Sequence, residues 1–129
     1  MLSRRVLGGV VLAGVLAGCV KVGVDAPPVS PVFFTSFSAE LDGDALRVIG
    51  HVVDDARANP ARSVIVEGFA DQVGSAAANK KLSELRAQVV ADALVARGVD
   101  RRRIVLRPRG ATKSDPGIES RRVDISFGA

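Results

Sequence analysis

The chain has no tryptophan and no tyrosine, so its apolar fraction of nearly half is almost wholly aliphatic, with five phenylalanines as its only large aromatic rings. One cysteine, Cys19, excludes any intramolecular disulfide. One histidine, His51, stands beside Asp54 and Asp55 on the flank of an expected helix, too few convergent ligands for a metal site. Asp42-Gly43-Asp44 lacks the later glutamate of a calcium loop. No Gly-x-Ser-x-Gly, phosphate-loop or HExxH pattern occurs, and no nucleophile has a base near it in sequence, so neither an enzyme nor a bound cofactor is expected. Glu67 and Asp71 are the only close carboxylate pair of interest for hydrolysis, and their strand-and-loop placement argues against convergence. No apolar run reaches the ~20 residues that a membrane-spanning helix needs.

What stands at the start is a shorter run. Val6 to Gly18, 13 residues by count, follows Arg4 and Arg5, which fits a secretory signal peptide. It ends in Leu16-Ala17-Gly18-Cys19, which resembles the lipobox of bacterial lipoproteins. The resemblance implies cleavage before Cys19 and acylation of its sulfur, and it gives the unpaired thiol of an exported chain a purpose. Val20 follows where an aspartate would signal inner-membrane retention, so the expected location is the outer membrane, with the domain in the periplasm. Loss of Arg4 and Arg5 leaves 16 basic against 14 acidic residues, a net +2 that gives no reason to expect nucleic acid as a partner. The expected division is a signal peptide over 1–18, a lipidated cysteine and proline-rich linker over 19–31, and one folded domain over 32–129.

Within that domain the periodicity predicts a strand over 32–34 and a helix over 45–58 carrying Leu46, Ile49, Val53 and Ala56 in register. Strands are predicted over 62–69, 103–107 and 121–127, with Val123, Ile125 and Phe127 inward. A helix over about 76–97 opens at Ser75 and stops at Gly98, and PRGATKSDPGIES reads as a turn-rich loop. The order β-α-β-α-β-β gives an α+β fold (an α/β sandwich), a mixed sheet with both helices packed on one face. Arg101-Arg102-Arg103 reads as a solvated surface run, or else as a contact for anionic lipid or glycan phosphates.

The second helix holds an anomaly. Counting ~100° per residue from Leu82, Leu85, Val89 and Ala93 fall within about 60° of it, and so does Arg86, at about +40°. A guanidinium on a core-facing stripe is costly unless paired. Arg86 could snorkel past Val90, form a structural ion pair, or line a ligand site. Asn79 lies at about +60°, two turns nearer the N-terminus, and Asp71 lies in the loop entering the helix. Carboxylate, amide and guanidinium together suit a zwitterion such as an amino acid.

GFADQVGSAAANKKLSELRAQVVADALVARGVD resembles the core motif of OmpA-like domains, including peptidoglycan-associated lipoproteins. The family pattern, Gly-His-Thr-Asp-x-x-Gly, then Asn-x-x-Leu-Ser-x-x-Arg-Ala, is met at Gly68, Asp71, Gly74, Asn79, Leu82, Ser83, Arg86 and Ala87. FFTSFSAEL resembles the opening strand and RRVDI the closing one, so the likeness covers about 32 to 127. It implies non-covalent binding of peptidoglycan at the diaminopimelate of the stem peptide, with Asp71 on the ammonium and Arg86 on the carboxylate. Asn79, Gly74, Leu82, Ser83 and Arg122 would support the pocket. The chain departs from the pattern at Phe69, Ala70, Ala78, Pro108 and Ser120. The departures at Phe69, Ala70, Ala78 and Pro108 favour the alternative reading, an interaction module of an envelope or secretion assembly that keeps only a weakened or vestigial pocket. A flagellar stator subunit shares this domain type but needs a membrane-spanning helix.

Overall fold

A computed structural model describes residues 28–112 and 120–128. The expected signal peptide, Cys19, most of the expected linker and positions 113–119 before the last strand lie outside the described residues. The chain runs β1 (Ser30–Phe33), α1 (Gly43–Ala58), β2 (Val64–Ala70), α2 (Ala76–Ala96), a 3₁₀ turn (Arg101–Arg103), β3 (Ile104–Ala111) and β4 (Arg122–Phe127). The sheet order is β1-β4-β2-β3, with β2 and β3 parallel and β4 antiparallel to both its neighbours. This is the expected mixed α+β architecture. Val32, Val64, Val66, Val123 and Ile125 point to one face of the sheet and form a single core with both helices.

The helix ends follow local chemistry. Asp42 caps α1 by accepting from the Ala45 N–H at 2.8 Å, and Ser75 caps α2 by accepting from that of Ala78 at 3.0 Å. Gly98 ends α2 with φ of 109°, a conformation that side chains disfavour. Arg103 donates to the carbonyls of Ala56 and Asn59 at 3.0 and 2.8 Å, closing the C-terminal end of α1. Its neighbours pair with Asp92 and Asp100, so all three arginines of the run have partners within the chain.

Two expectations on helix faces need correction. Leu46 is 36% exposed, and the buried positions of α1 are Ala45, Ile49, Val52, Val53 and Ala56. In α2 the buried face is Asn79, Ser83, Arg86, Ala87, Val90, Ala91 and Leu94, whereas Leu85 is 52% exposed. The buried arc is thus centred roughly 90° away from Leu82. The cause is backbone proximity. A Cβ on Gly68 of β2 would lie 2.3 Å from the Ser83 carbonyl oxygen and 3.2 Å from the Ala87 Cβ. Where the helix comes this close to the strand it can turn only small residues toward it, and Ser83 and Ala87 stand at that point.

The third strand is also longer than predicted. Arg109 is an extra residue in the β2–β3 ladder, where Gly68 pairs with Pro108 and Phe69 with Gly110. Pro108 is tolerated because β3 is an edge strand. At the bulge, the Gly110 N–H donates to the Ser83 hydroxyl at 2.9 Å, and that hydroxyl donates to the Lys80 carbonyl at 2.8 Å. A serine buried in the core is thereby satisfied on both sides.

Arg86 is fully enclosed, with 0% exposure. Its Nε donates to the Ser38 carbonyl at 2.8 Å, Nη1 to that of Phe69 at 3.1 Å, and Nη2 to that of Thr35 at 3.0 Å. The guanidinium also lies 5.1 Å from the centre of the Phe34 ring. It therefore ties α2 to the end of β2 and to the chain leaving β1. Removing it takes a donor from each of three carbonyls and empties a buried site, so Arg86→Ala is expected to destabilise by on the order of 3 kcal/mol or more in urea unfolding. Arg86→Lys recovers only part, because an ammonium cannot span the same fork. Gly68→Ala should cost about 2 kcal/mol by overpacking against a backbone oxygen. Gly43→Ala, whose added methyl meets nothing within 4 Å, should be neutral or stabilising by up to ~1 kcal/mol. Equal effects of the two glycine substitutions would contradict this packing.

Candidate functional site

Because β1, β2 and β3 share a direction and β4 opposes it, four chain segments gather at one end of the sheet. These are the exits of β1, β2 and β3 and the entry of β4, joined there by the N-terminus of α2. Sheet ends of this kind commonly carry binding residues on their loops. Asp71 is the first residue after β2. Its Oδ1 accepts from the Val73 N–H at 3.2 Å, which fixes the loop, and its Oδ2 accepts from Arg121 Nη1 at 3.3 Å. The two side chains are 16% and 19% exposed, mostly enclosed but open to a ligand. Arg121 is itself held by Phe34, whose carbonyl accepts from its Nε at 3.2 Å. Thr112 and Ser120 share a hydrogen bond of 2.6 Å across the same end, and Gln72 donates to the Thr112 carbonyl.

Arg86 lies beneath this pair. Burial draws its pKa down to about 10, below the ordinary guanidinium range; the Asp71 carboxylate opposes that shift and the Arg121 charge reinforces it. It remains a cation at neutral pH. It does not snorkel, and among the described residues it forms no ion pair: the carbonyl cage of the fold satisfies it instead. Asn79 lies on the same face of α2, only 4% exposed, and its side chain makes no hydrogen bond among the described residues. A buried amide with open donors and acceptors is an unfilled polar position in the site. Gly74 has φ of 97° in the loop between Asp71 and α2, and Leu82 is half-buried.

Arg122 goes elsewhere. Its guanidinium sits 4.5 Å from the centre of the Phe69 ring and 3.1 Å from Asp124, on the sheet face away from the helices. Glu67 also lies on that open face, bonded to Arg109 at 2.6 Å, so Glu67 and Asp71 do not converge as an acid and base. The residue that the sequence reading passed over is Arg121. Strand parity could have found it: with Val123 inward, Arg122 must face out and Arg121 must share the inward side.

Beside Arg121 is a hollow of about 400 Å³ bounded by Phe33, Thr35, Ser36, Glu40 and Asp42. Its rim includes a turn closed by the Ser38 N–H on the Thr35 carbonyl at 3.2 Å. Phe37, third in that turn, has φ of 56° and is 70% exposed. Glycine or asparagine is usual at a positive-φ turn position, and a bulky residue there stores on the order of 1–3 kcal/mol of strain. Among the described residues, no group of acidic, histidine or cysteine side chains could hold a metal ion, and no helix is long and apolar enough to cross a membrane.

Comparison with known proteins places this geometry. The OmpA family model matches residues 33–121. The chain is 34% identical over 102 residues to outer membrane protein A of Bordetella avium, a match covering 74% of this chain and 53% of that protein. It is 37% identical over 76 residues to the peptidoglycan-binding protein ArfA of Mycobacterium tuberculosis, covering 59% of this chain and 23% of that one. The chain therefore spans only part of the length of these relatives. The OmpA-like domain of FopA1 from Francisella tularensis superposes with a TM-score of 0.70 at 28% identity, over 78% of this chain and 71% of that one. The peptidoglycan-associated lipoprotein from Burkholderia pseudomallei shares the fold, with a TM-score of 0.69 at 22% identity, over 76% and 89% of the two chains. Of these relatives ArfA is a peptidoglycan-binding protein, and OmpA-like domains are binding modules, not enzymes. The matched segment runs from the end of β1 to the arginine that holds Asp71, and the chain belongs to the OmpA family.

Proposed function

We propose that this domain binds peptidoglycan non-covalently, gripping the free zwitterionic end of diaminopimelate in the stem peptide. The observation that carries the reading is the Asp71–Arg121 pair, a carboxylate and a guanidinium 3.3 Å apart at a loop-built sheet end. The likeness to ArfA, a peptidoglycan-binding protein, supports it. Asp71 accepts from the ligand ammonium. Arg121 turns from Asp71 to the ligand carboxylate, and Asn79 supplies the unfilled amide. Arg86 forms the floor. It fixes the loop carbonyls and adds positive charge below the carboxylate, with two guanidinium N–H groups beyond the three already used. Gly74 shapes the loop, and Leu82 and Ser83 seat the helix.

The wider role follows from the N-terminal sequence. Lipid on Cys19 holds the outer membrane, the proline-rich linker spans a gap, and the pocket holds the wall. Many weak pockets on a polymer of repeated ligands give a firm tether.

Sedimentation of the full chain with purified diaminopimelate-type sacculi in mild detergent tests the pocket. Asp71→Asn and Arg121→Ala should each lower retention at least tenfold while remaining folded by circular dichroism. Arg122→Ala, on the far face, should retain normally. Unchanged retention by Asp71→Asn would sink the assignment. Failure of the unaltered chain to sediment would instead move the role to an envelope interaction module. For the anchor, Cys19→Ser should abolish palmitate labelling and release the protein from membranes; persistent labelling would refute lipidation at that sulfur.

A further inference from the structure

Three of the five phenylalanines lie within residues 33–37, and they have different fates. Phe34 is buried under Arg86. Phe33 and Phe37 are 41% and 70% exposed. The exposure of Phe37 is not relaxed drift. Arg86 grips the carbonyls on both sides of it, Thr35 and Ser38, and the turn closes on itself between them. The ring is held out at a strained φ that no burial offsets, and such strain clusters at ligand sites. The same guanidinium holds the Phe69 carbonyl two residues before Asp71, so the turn and the peptide site share one anchor.

We infer that Phe37 is a stacking platform for a sugar ring of the glycan strand, so that this domain reads the saccharide as well as the peptide. The apolar face of a pyranose, its axial C–H groups, packs on an aromatic ring, while its hydroxyls need polar partners. The hollow next to the turn supplies them: Thr35, Ser36, Glu40, Asp42 and Arg121 beside the Phe33 ring. Leu41 and Phe34 also line the hollow, so apolar and polar groups alternate there, as the two-sided surface of a sugar ring requires. Arg121 both lines this hollow and holds Asp71, so the hollow adjoins the site proposed for the peptide end. The inference deepens the proposed peptidoglycan role and rests on it.

The test compares three ligands by calorimetry on the full chain in detergent: free stem peptide, disaccharide-linked stem peptide and peptide-free glycan. The unaltered protein should bind the disaccharide-linked peptide about tenfold more tightly than the free peptide. Phe37→Ala should bring that ratio close to one without changing free-peptide affinity, and Phe37→Trp should preserve it. A ratio near one in the unaltered protein, a ratio untouched by Phe37→Ala, or an equal loss for both peptides would overturn the platform. Glycan binding that depends on Phe37 without any peptide binding would sustain the platform and overturn the peptide pocket. No binding of any ligand would overturn both. Phe37→Asn, which suits a positive φ, should melt no lower than the parent. A drop of several degrees would show that the ring packs the fold, and would also overturn the inference.

Discussion

A guanidinium sealed from water has to find oxygen elsewhere, and Arg86 finds it in the backbone of three separate segments. Its hydrogen bonds to Thr35, Ser38 and Phe69 fasten the exit of β1, the end of β2 and the middle of α2 to one planar group. A leucine in that place would bury more apolar surface and tie nothing together. The fork geometry matters, because five fixed donors can serve carbonyls in different directions while a point charge cannot. The loops above it are therefore connected through the core, although each lies at the surface.

That anchor sets the chemistry above it. Asp71 follows the Phe69 carbonyl by two residues, and Phe37 lies between the other two gripped carbonyls. Closeness of α2 to β2 is the second condition. Gly68 admits the Ser83 backbone to a distance that no side chain would allow, and Ser83 in turn satisfies the bulge at Gly110. Small residues, Ser83 and Ala87, thus occupy the part of the buried face that lies against Gly68. The bulge lets β3 continue to Ala111, which brings Thr112 and Ser120 to the same end as Asp71.

Where the determinant is local, the sequence is readable. Element order, the Asp42 and Ser75 caps, the stop at Gly98 and the inward Val123 and Ile125 follow from neighbours a few residues apart. Mixed-sheet architecture follows from that order. The face of α2 did not follow, because a hydrophobic count weighs Leu82 and Leu85 without knowing that Gly68 will approach Ser83. Arg86 was legible as an anomaly, but its partners were not: backbone carbonyls carry no sequence signature. Arg121 was legible in principle from strand alternation. The family motif drew attention to its neighbour Arg122, whose side chain stacks on Phe69 across the sheet.

One carboxylate paired with a guanidinium, above a second buried guanidinium, also sets a condition on any occupant. Asp71 is bonded to Arg121 and lies within the field of Arg86. A ligand offering only an ammonium would take Asp71 and leave Arg121 without its counter-ion in a mostly enclosed position. A ligand offering only a carboxylate would take Arg121 and leave Asp71 exposed to the opposite loss. Breaking a buried pair on one side is penalised more heavily than the pair itself is worth. A zwitterion replaces each partner with a ligand group of the same sign and leaves neither charge bare. Exchange of partners, rather than occupation of an empty pocket, is then the selective step, and the extra positive charge of Arg86 favours the carboxylate end.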